Sequence, residues 1–270
     1  MIREAWLASH PYLKAVADLH ARIEGAVAEI DLPSVSIPKW DDYLGDFRAG
    51  VPLLQCSSVA IDLDPAAGPV ASLVEKTALL PLPDQLATES RALVSELRGD
   101  PDTPHRWVTW LLDRDSPAPA RPGLLLYLGW TVLARYLRTV VGEFSRWRDE
   151  ERWLRNYCPT CGAPPAMAQL VGKDPGRMRF LSCGCCLTRW RYRRTSCPFC
   201  ETEDHRLLTL AIEGESRLRI DYCEACSGYL KTYTGEGSEA LFLADWTSIH
   251  LDVIARQRGL KRLAASLYQL

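Results

Sequence analysis

The sequence predicts a multidomain α+β protein: an N-terminal all-α helical domain, two tandem tetracysteine modules built on β-hairpins, and a C-terminal helix. Two observations predict it. Eight of the ten cysteines fall into four C-x-x-C knuckles, Cys158/Cys161, Cys183/Cys186, Cys197/Cys200 and Cys223/Cys226, and the chain before the first knuckle carries Cys56 alone. That cysteine-poor stretch repeats its apolar residues at helical spacing, whereas the segments between knuckles alternate weakly. The divisions are 1–155 for the helical domain, 156–196 and 197–240 for the two modules, and 241–270 for the C-terminal segment.

In chain order, Ser9 reads as the cap, with Pro11 in the first turn, of a helix whose apolar face is Tyr12, Val16, Leu19, Ile23, Val27 and Ile30. Pro33 ends it. Further helices are expected at 41–49, 68–80, 83–98, 104–113 and 122–155, parted by Asp64-Pro65, Pro81-Leu82-Pro83 and the three prolines between Asp115 and Pro122. The last, carrying Trp147 and Trp153, is expected to deliver the first knuckle. The stretches 33–38 and 51–69 read as irregular, and Cys56, in the second, is assigned no function. Asp245-Trp246-Thr247-Ser248 opens a final helix with Leu251, Ile254 and Ala255 on one face, broken near Gly259 and followed by an apolar turn through Leu260, Leu263 and Leu267.

The knuckles form a tandem repeat. Two residues between thiols let a tight turn aim both sulfurs at one ion, and two such turns complete a tetrathiolate shell. The spacing runs C-x2-C-x21-C-x2-C, a ten-residue link, then C-x2-C-x22-C-x2-C. Sequential sites are therefore expected, Cys158, Cys161, Cys183 and Cys186 holding one ion and Cys197, Cys200, Cys223 and Cys226 another, in preference to an interleaved cross-brace. Between knuckles, an apolar run, a Gly-containing turn and a second alternating run read as a β-hairpin, as in 206–212, Gly214 and 217–220. This is the pattern of a zinc-ribbon or rubredoxin-like unit. About forty residues bury too little surface to fold alone, so a structural metal is the plain reading, and iron and zinc share the ligand set.

The remaining composition excludes several classes. Hydrophobic residues are 47% and the formal charge is −2, which leaves room for a core and no global pull toward nucleic acid. No charged leader with an apolar core opens the chain, so a cytoplasmic, thiol-reducing setting is expected, and the most apolar segment, 123–141, is interrupted by Arg135 and Arg138. No membrane insertion is expected. His10, His20, His105, His205 and His250 form no nucleophile or hydrolase motif, and no phosphate loop or dinucleotide fingerprint is present, so no enzymatic activity is assigned.

Certain residues carry a family resemblance. Cys158-Pro159-Thr160-Cys161-Gly162, Cys183-Gly184-Cys185-Cys186 followed by Trp190, Cys197-Pro198-Phe199-Cys200, Asp221-Tyr222-Cys223-Glu224-Ala225-Cys226, Tyr229-Leu230-Lys231 and the closing 245–262 resemble the formate dehydrogenase accessory protein FdhE family. The resemblance covers nearly the whole chain. It implies a cytoplasmic maturation factor that engages the catalytic subunit of a respiratory, molybdenum-containing formate dehydrogenase, with two ions at the eight cysteines, iron favoured and zinc possible. Two other classes stay in view: a redox or metal-delivery protein, and a nucleic-acid-binding ribbon protein.

Two departures from the ribbon pattern stand out. Cys185 places an extra thiol beside Cys186. Rubredoxin-like turns prefer Gly after each knuckle because the chain there turns through a left-handed conformation; Gly162 satisfies this, but Leu187, Glu201 and Ser227 do not. The modules also differ in sign. The first holds Lys173, Arg177, Arg179, Arg189, Arg191, Arg193 and Arg194 against Asp174, and the second, over 197–235, holds Glu201, Glu203, Asp204, Glu213, Glu215, Asp221 and Glu224 against four basic residues. Arg189-Trp190-Arg191-Tyr192-Arg193-Arg194 interleaves cations with aromatics, as a nucleic-acid surface would, but arginines that are solvated or balance tetrathiolate charge are the default reading. Asp221, Tyr222, Tyr229, Lys231 and Arg189 to Arg194 are the expected partner contacts.

Overall fold

A computed structural model describes residues 2–113, 115–173, 175–203, 206–264 and 266–267; Asp174, Asp204 and His205 lie outside these. Helices α1 (Ile2–Ser9), α2 (Lys14–Ala28), α3 (Trp40–Ala49), α4 (Ala67–Ala78), α5 (Asp84–Gly99), α6 (Thr103–Leu112), α7 (Pro122–Tyr136) and α8 (Arg138–Trp147) come first. Strands β1 (Pro165–Val171), β2 (Met178–Cys183), β3 (Arg189–Tyr192), β4 (Leu207–Ala211), β5 (Leu218–Cys223) and β6 (Tyr229–Thr234) follow, then α9 (Glu239–Phe242) and α10 (Ile249–Gln257). Contacts divide the chain into two compact units, one from Met1–Pro38 and Ala60–Phe144, the other from Lys39–Val59 and Ser145–Ser266. A cut at 155 does not coincide with this division. The reason is α3 and the stretch after it, which pack with the cysteine-bearing half.

In the first unit, α7 is the core element. Leu124 to Trp130, Val132, Leu133 and Tyr136 are all buried, the all-round burial of a helix that neighbours enclose. Its Gly129 lets α6 approach closely, since a Cβ there would lie 2.3 Å from Leu111 Cδ1. Among the described residues no single helix is long and apolar enough to cross a membrane; α7 and α8 reach that length only together, across a 61° bend.

Two helix expectations need correction. Ser9 closes α1 instead of capping α2, its hydroxyl donating back to the carbonyls of Ala5 and Trp6, and a 3-10 turn at Pro11–Leu13 leads into α2. The buried face is consequently Leu13, Ala17, Ile23, Ala26 and Val27, with Tyr12 exposed. The expected helix 122–155 is two helices and a turn. Asp149 ends it, because its side chain accepts from the Glu151 amide at 3.0 Å and its carbonyl from the Arg152 amide, an Asx-type turn that competes with helix. The apolar turn expected at 260–267 is not helical among its described residues; an isolated bridge joins Lys261 to Gly228 instead.

In the second unit the two hairpins join into one six-stranded sheet, ordered β3-β2-β1-β6-β5-β4. Each hairpin is antiparallel, and β1 pairs with β6 in parallel over Met167–Leu170 and Lys231–Thr234. The ribbons therefore share one sheet. Burial follows position: the central β1 and β6 are almost wholly buried, whereas the edge strand β4 is mostly exposed.

Candidate metal centres

The four knuckles have the same local geometry. The amide of the first cysteine in each donates to the carbonyl five residues on, as in Cys158 N to Ala163 O, Cys183 N to Thr188 O, Cys197 N to Thr202 O and Cys223 N to Gly228 O, at 2.9 Å. The residue after each knuckle is left-handed, with φ 79° at Gly162, 63° at Leu187, 56° at Glu201 and 59° at Ser227. The last three are the positive-φ non-glycine residues among those described. The turn geometry thus overrides residue type, at a cost of about 1 kcal/mol each. Amides then point at sulfur: Cys185 N to Cys183 at 3.3 Å, and Phe199 N to Cys197 and Gly228 N to Cys226 at 3.4 Å.

The sulfurs converge in two sequential groups, Cys158, Cys161, Cys183 and Cys186, and Cys197, Cys200, Cys223 and Cys226, with every pair in a group within 4.8 Å. The closest separations are 3.4 Å for Cys158–Cys186 and 3.5 Å for Cys161–Cys183 in the first, and 3.8 Å for Cys197–Cys226 and 3.7 Å for Cys200–Cys223 in the second. A tetrahedron with metal–sulfur bonds of about 2.3 Å has edges of about 3.8 Å, so both groups fit an ion of zinc or iron size. Burial pushes the Cys183 thiol well up. Cys186 is equally buried, yet hydrogen bonding with Cys158, Cys161, Cys183 and Thr188 pulls it well down. Four sulfurs could all ionise in so dry a place only around a cation, which the arrangement has room to hold.

The surroundings of the two groups differ. The first is buried throughout, whereas in the second Cys200 is exposed and Cys226 half-buried. A roof over the first knuckle accounts for this. Leu53 N and Leu54 N donate to the carbonyls of Pro159 and Thr160 at 2.9 and 2.8 Å, the Gln55 amide to that of Cys161, and Tyr157 to that of Gly50. An aromatic cluster of Trp40, Tyr43 and Phe47 on α3, Trp147 at the end of α8 and Trp153 after it supports the roof. Inside, the hydroxyls of Thr160 and Thr188 meet at 2.7 Å, and Thr188 lies 3.2 Å from Cys186 sulfur. Cys185 is buried beside the group, and Cys56 sits in the roof, donating to the carbonyls of Leu53 and Val59.

Several expected partner contacts belong to the interior. Tyr229 and Lys231 are buried: Lys231 Nζ bridges Asp245 and Asp252 at 2.6 and 2.8 Å, and Tyr229 donates to Asp252 at 2.7 Å. Arg262 pairs with both carboxylates as well. Burial works to raise the Asp245 carboxyl, but the Lys231 and Arg262 charges outweigh it and hold it at about 2. Asp221 is half-buried and bonded to Thr209, Arg219 and Thr232. Trp190 and Tyr192 face the core, so the aromatic members offer no stacking platform for bases. Arg179, buried and lowered to about 10 chiefly by that burial, donates to the carbonyls of Arg193 and Ser196 in the link between ribbons. Arg191 and Arg193 pair with Glu151 and Glu203.

Known proteins resemble this arrangement. Residues 157–194 match the family model described as FdhE, central domain. The chain is 32% identical to a protein FdhE homolog of Stutzerimonas stutzeri over 219 residues, covering 73% of this chain and 68% of that one. It is also 35% identical to a protein FdhE homolog of Aquifex aeolicus over 115 residues, where the match spans only 41% of either chain. The crystal structure of the FdhE protein from Pseudomonas aeruginosa shares the fold, with a TM-score of 0.62 at 24% identity over 95% of this chain and 88% of that one. With its order of helices, its paired tetracysteine groups and this extended identity, the chain belongs to the FdhE family.

Proposed function

We propose that this protein is a cytoplasmic accessory factor that engages the catalytic subunit of a respiratory formate dehydrogenase during its maturation, and that it has no turnover of its own. The observation that carries this is the identity to an FdhE relative along 73% of the chain. In this reading Cys158, Cys161, Cys183 and Cys186 hold one ion and Cys197, Cys200, Cys223 and Cys226 a second, iron being favoured by the family resemblance and zinc fitting the same donors. The ions lock the knuckles, and so fix the outer faces of the joined ribbons for docking. Affinity capture on the tagged catalytic subunit in cells, with formate-dependent dye reduction as the second readout, tests it. Capture of this chain, together with loss of activity when its gene is deleted, is expected. Unchanged formate dehydrogenase activity in the deletion would refute it.

A further inference from the structure

The two ribbons are repeats of one design, so each serves as the other's control. The first knuckle is roofed by backbone bonds from Leu53 and Leu54 and by Gln55. The third knuckle holds the equivalent place in the second ribbon, and there Cys200 is exposed. The rest of the second group is fixed. Cys197 and Cys223 are buried, and the fourth knuckle lies under a strap from the C-terminal segment. Lys261 N donates to Ser227 O at 2.8 Å, Tyr229 N donates to Lys261 O at 3.2 Å, and Leu263 closes over Gly228. Arg262 anchors the strap to Asp245 and Asp252. Cys200 is thus the one fully exposed ligand of the eight; Cys226, beneath the strap, is half-buried and the other six are buried. Ligand exchange at thiolates requires such access. Exposed Glu201 and Glu224, each adjoining a cysteine of this group, add a field that draws cations in.

We propose that the second centre is an exchange site: Cys197, Cys200, Cys223 and Cys226 take up and release a thiophilic divalent ion against competing ligands in solution, through Cys200, while the first centre stays closed. This rests on the reading that both groups hold an ion.

The test uses the full chain loaded with zinc under nitrogen, challenged with a chromogenic chelator, and sampled with iodoacetamide for mass-spectrometric mapping. Of two bound ions, one should leave faster by about tenfold or more, the ratio that a barrier difference of about 1.4 kcal/mol produces. Among the eight ligands carbamidomethylation should start at Cys200, with the first-centre cysteines protected. Cys200→Ser should retain a single slow ion and Cys161→Ser a single fast one; should either variant fail to fold, the labelling order in the unaltered chain still decides. Two ions leaving at one rate, first labelling within the first centre, or a fast ion that survives Cys200→Ser would overturn the proposal. A chain that never holds two ions would overturn the metal reading beneath it as well.

Discussion

At the scale of single residues, the left-handed positions after the knuckles carry the clearest tension between sequence and geometry. Leu187 has φ 63° and is 65% exposed, so its side chain offers little packing to offset that conformation. Leu187→Gly should therefore raise stability by about 0.5–1 kcal/mol, read as a shift in the denaturant midpoint. Gly162→Ala should do the opposite, since φ is 79° and a Cβ would lie 2.5 Å from the Gln55 amide nitrogen. The buried ion network makes a second prediction. Replacing Asp252 by Ala leaves Lys231 and Arg262 short of a carboxylate in the interior and should cost about 3–5 kcal/mol, measured by denaturant unfolding. Asp245 adds a pH dependence, because its folded value of about 2 lies below the ordinary 3.8. Its contribution, about 2 kcal/mol, is complete above 3.8 and is lost as pH falls through about 2. Asp245→Asn should flatten the acid limb of a stability–pH curve there.

At the scale of elements, the pairing of β1 with β6 turns two ribbons into one sheet. Native-state hydrogen exchange should then find the slowest amides at Met167–Leu170 and Lys231–Thr234, protected to the same free energy. Separate protection levels for the β1–β3 and β4–β6 halves would show ribbons that open independently. Much of this level was legible in the sequence. The helices at 41–49, 68–80, 83–98 and 104–113 appear within one residue or two as α3 to α6, and the hairpin between the third and fourth knuckles as β4 and β5. Local periodicity and turn residues carried that information. The parallel β1–β6 pair did not announce itself, because strand partners distant in sequence leave no local pattern. The roof at 50–55 escaped for the same reason: besides the Gln55 and Tyr157 side chains it is held by backbone hydrogen bonds to Pro159 and Thr160, to which side-chain identity is nearly blind. Tyr229 and Lys231 look like surface residues in a polar tail, and only the facing Asp245 and Asp252 reveal why a lysine is buried there.

At the scale of the molecule, spacing alone grouped the eight cysteines, and the fold brings the same two groups together. The difference in cover between them was invisible in the repeat, since it comes from segments outside it. Each centre holding its own ion, in a sequential and not interleaved arrangement, is the central claim, with the shared sheet coupling the two mechanically. Metal content per chain, measured on protein purified without oxygen, tests this most directly when the unaltered chain is compared with Cys158→Ser and Cys223→Ser. Two ions are expected in the unaltered chain and one in each variant, the remaining ion lying in the intact group. Loss of both ions from either single substitution, or of neither, would contradict it.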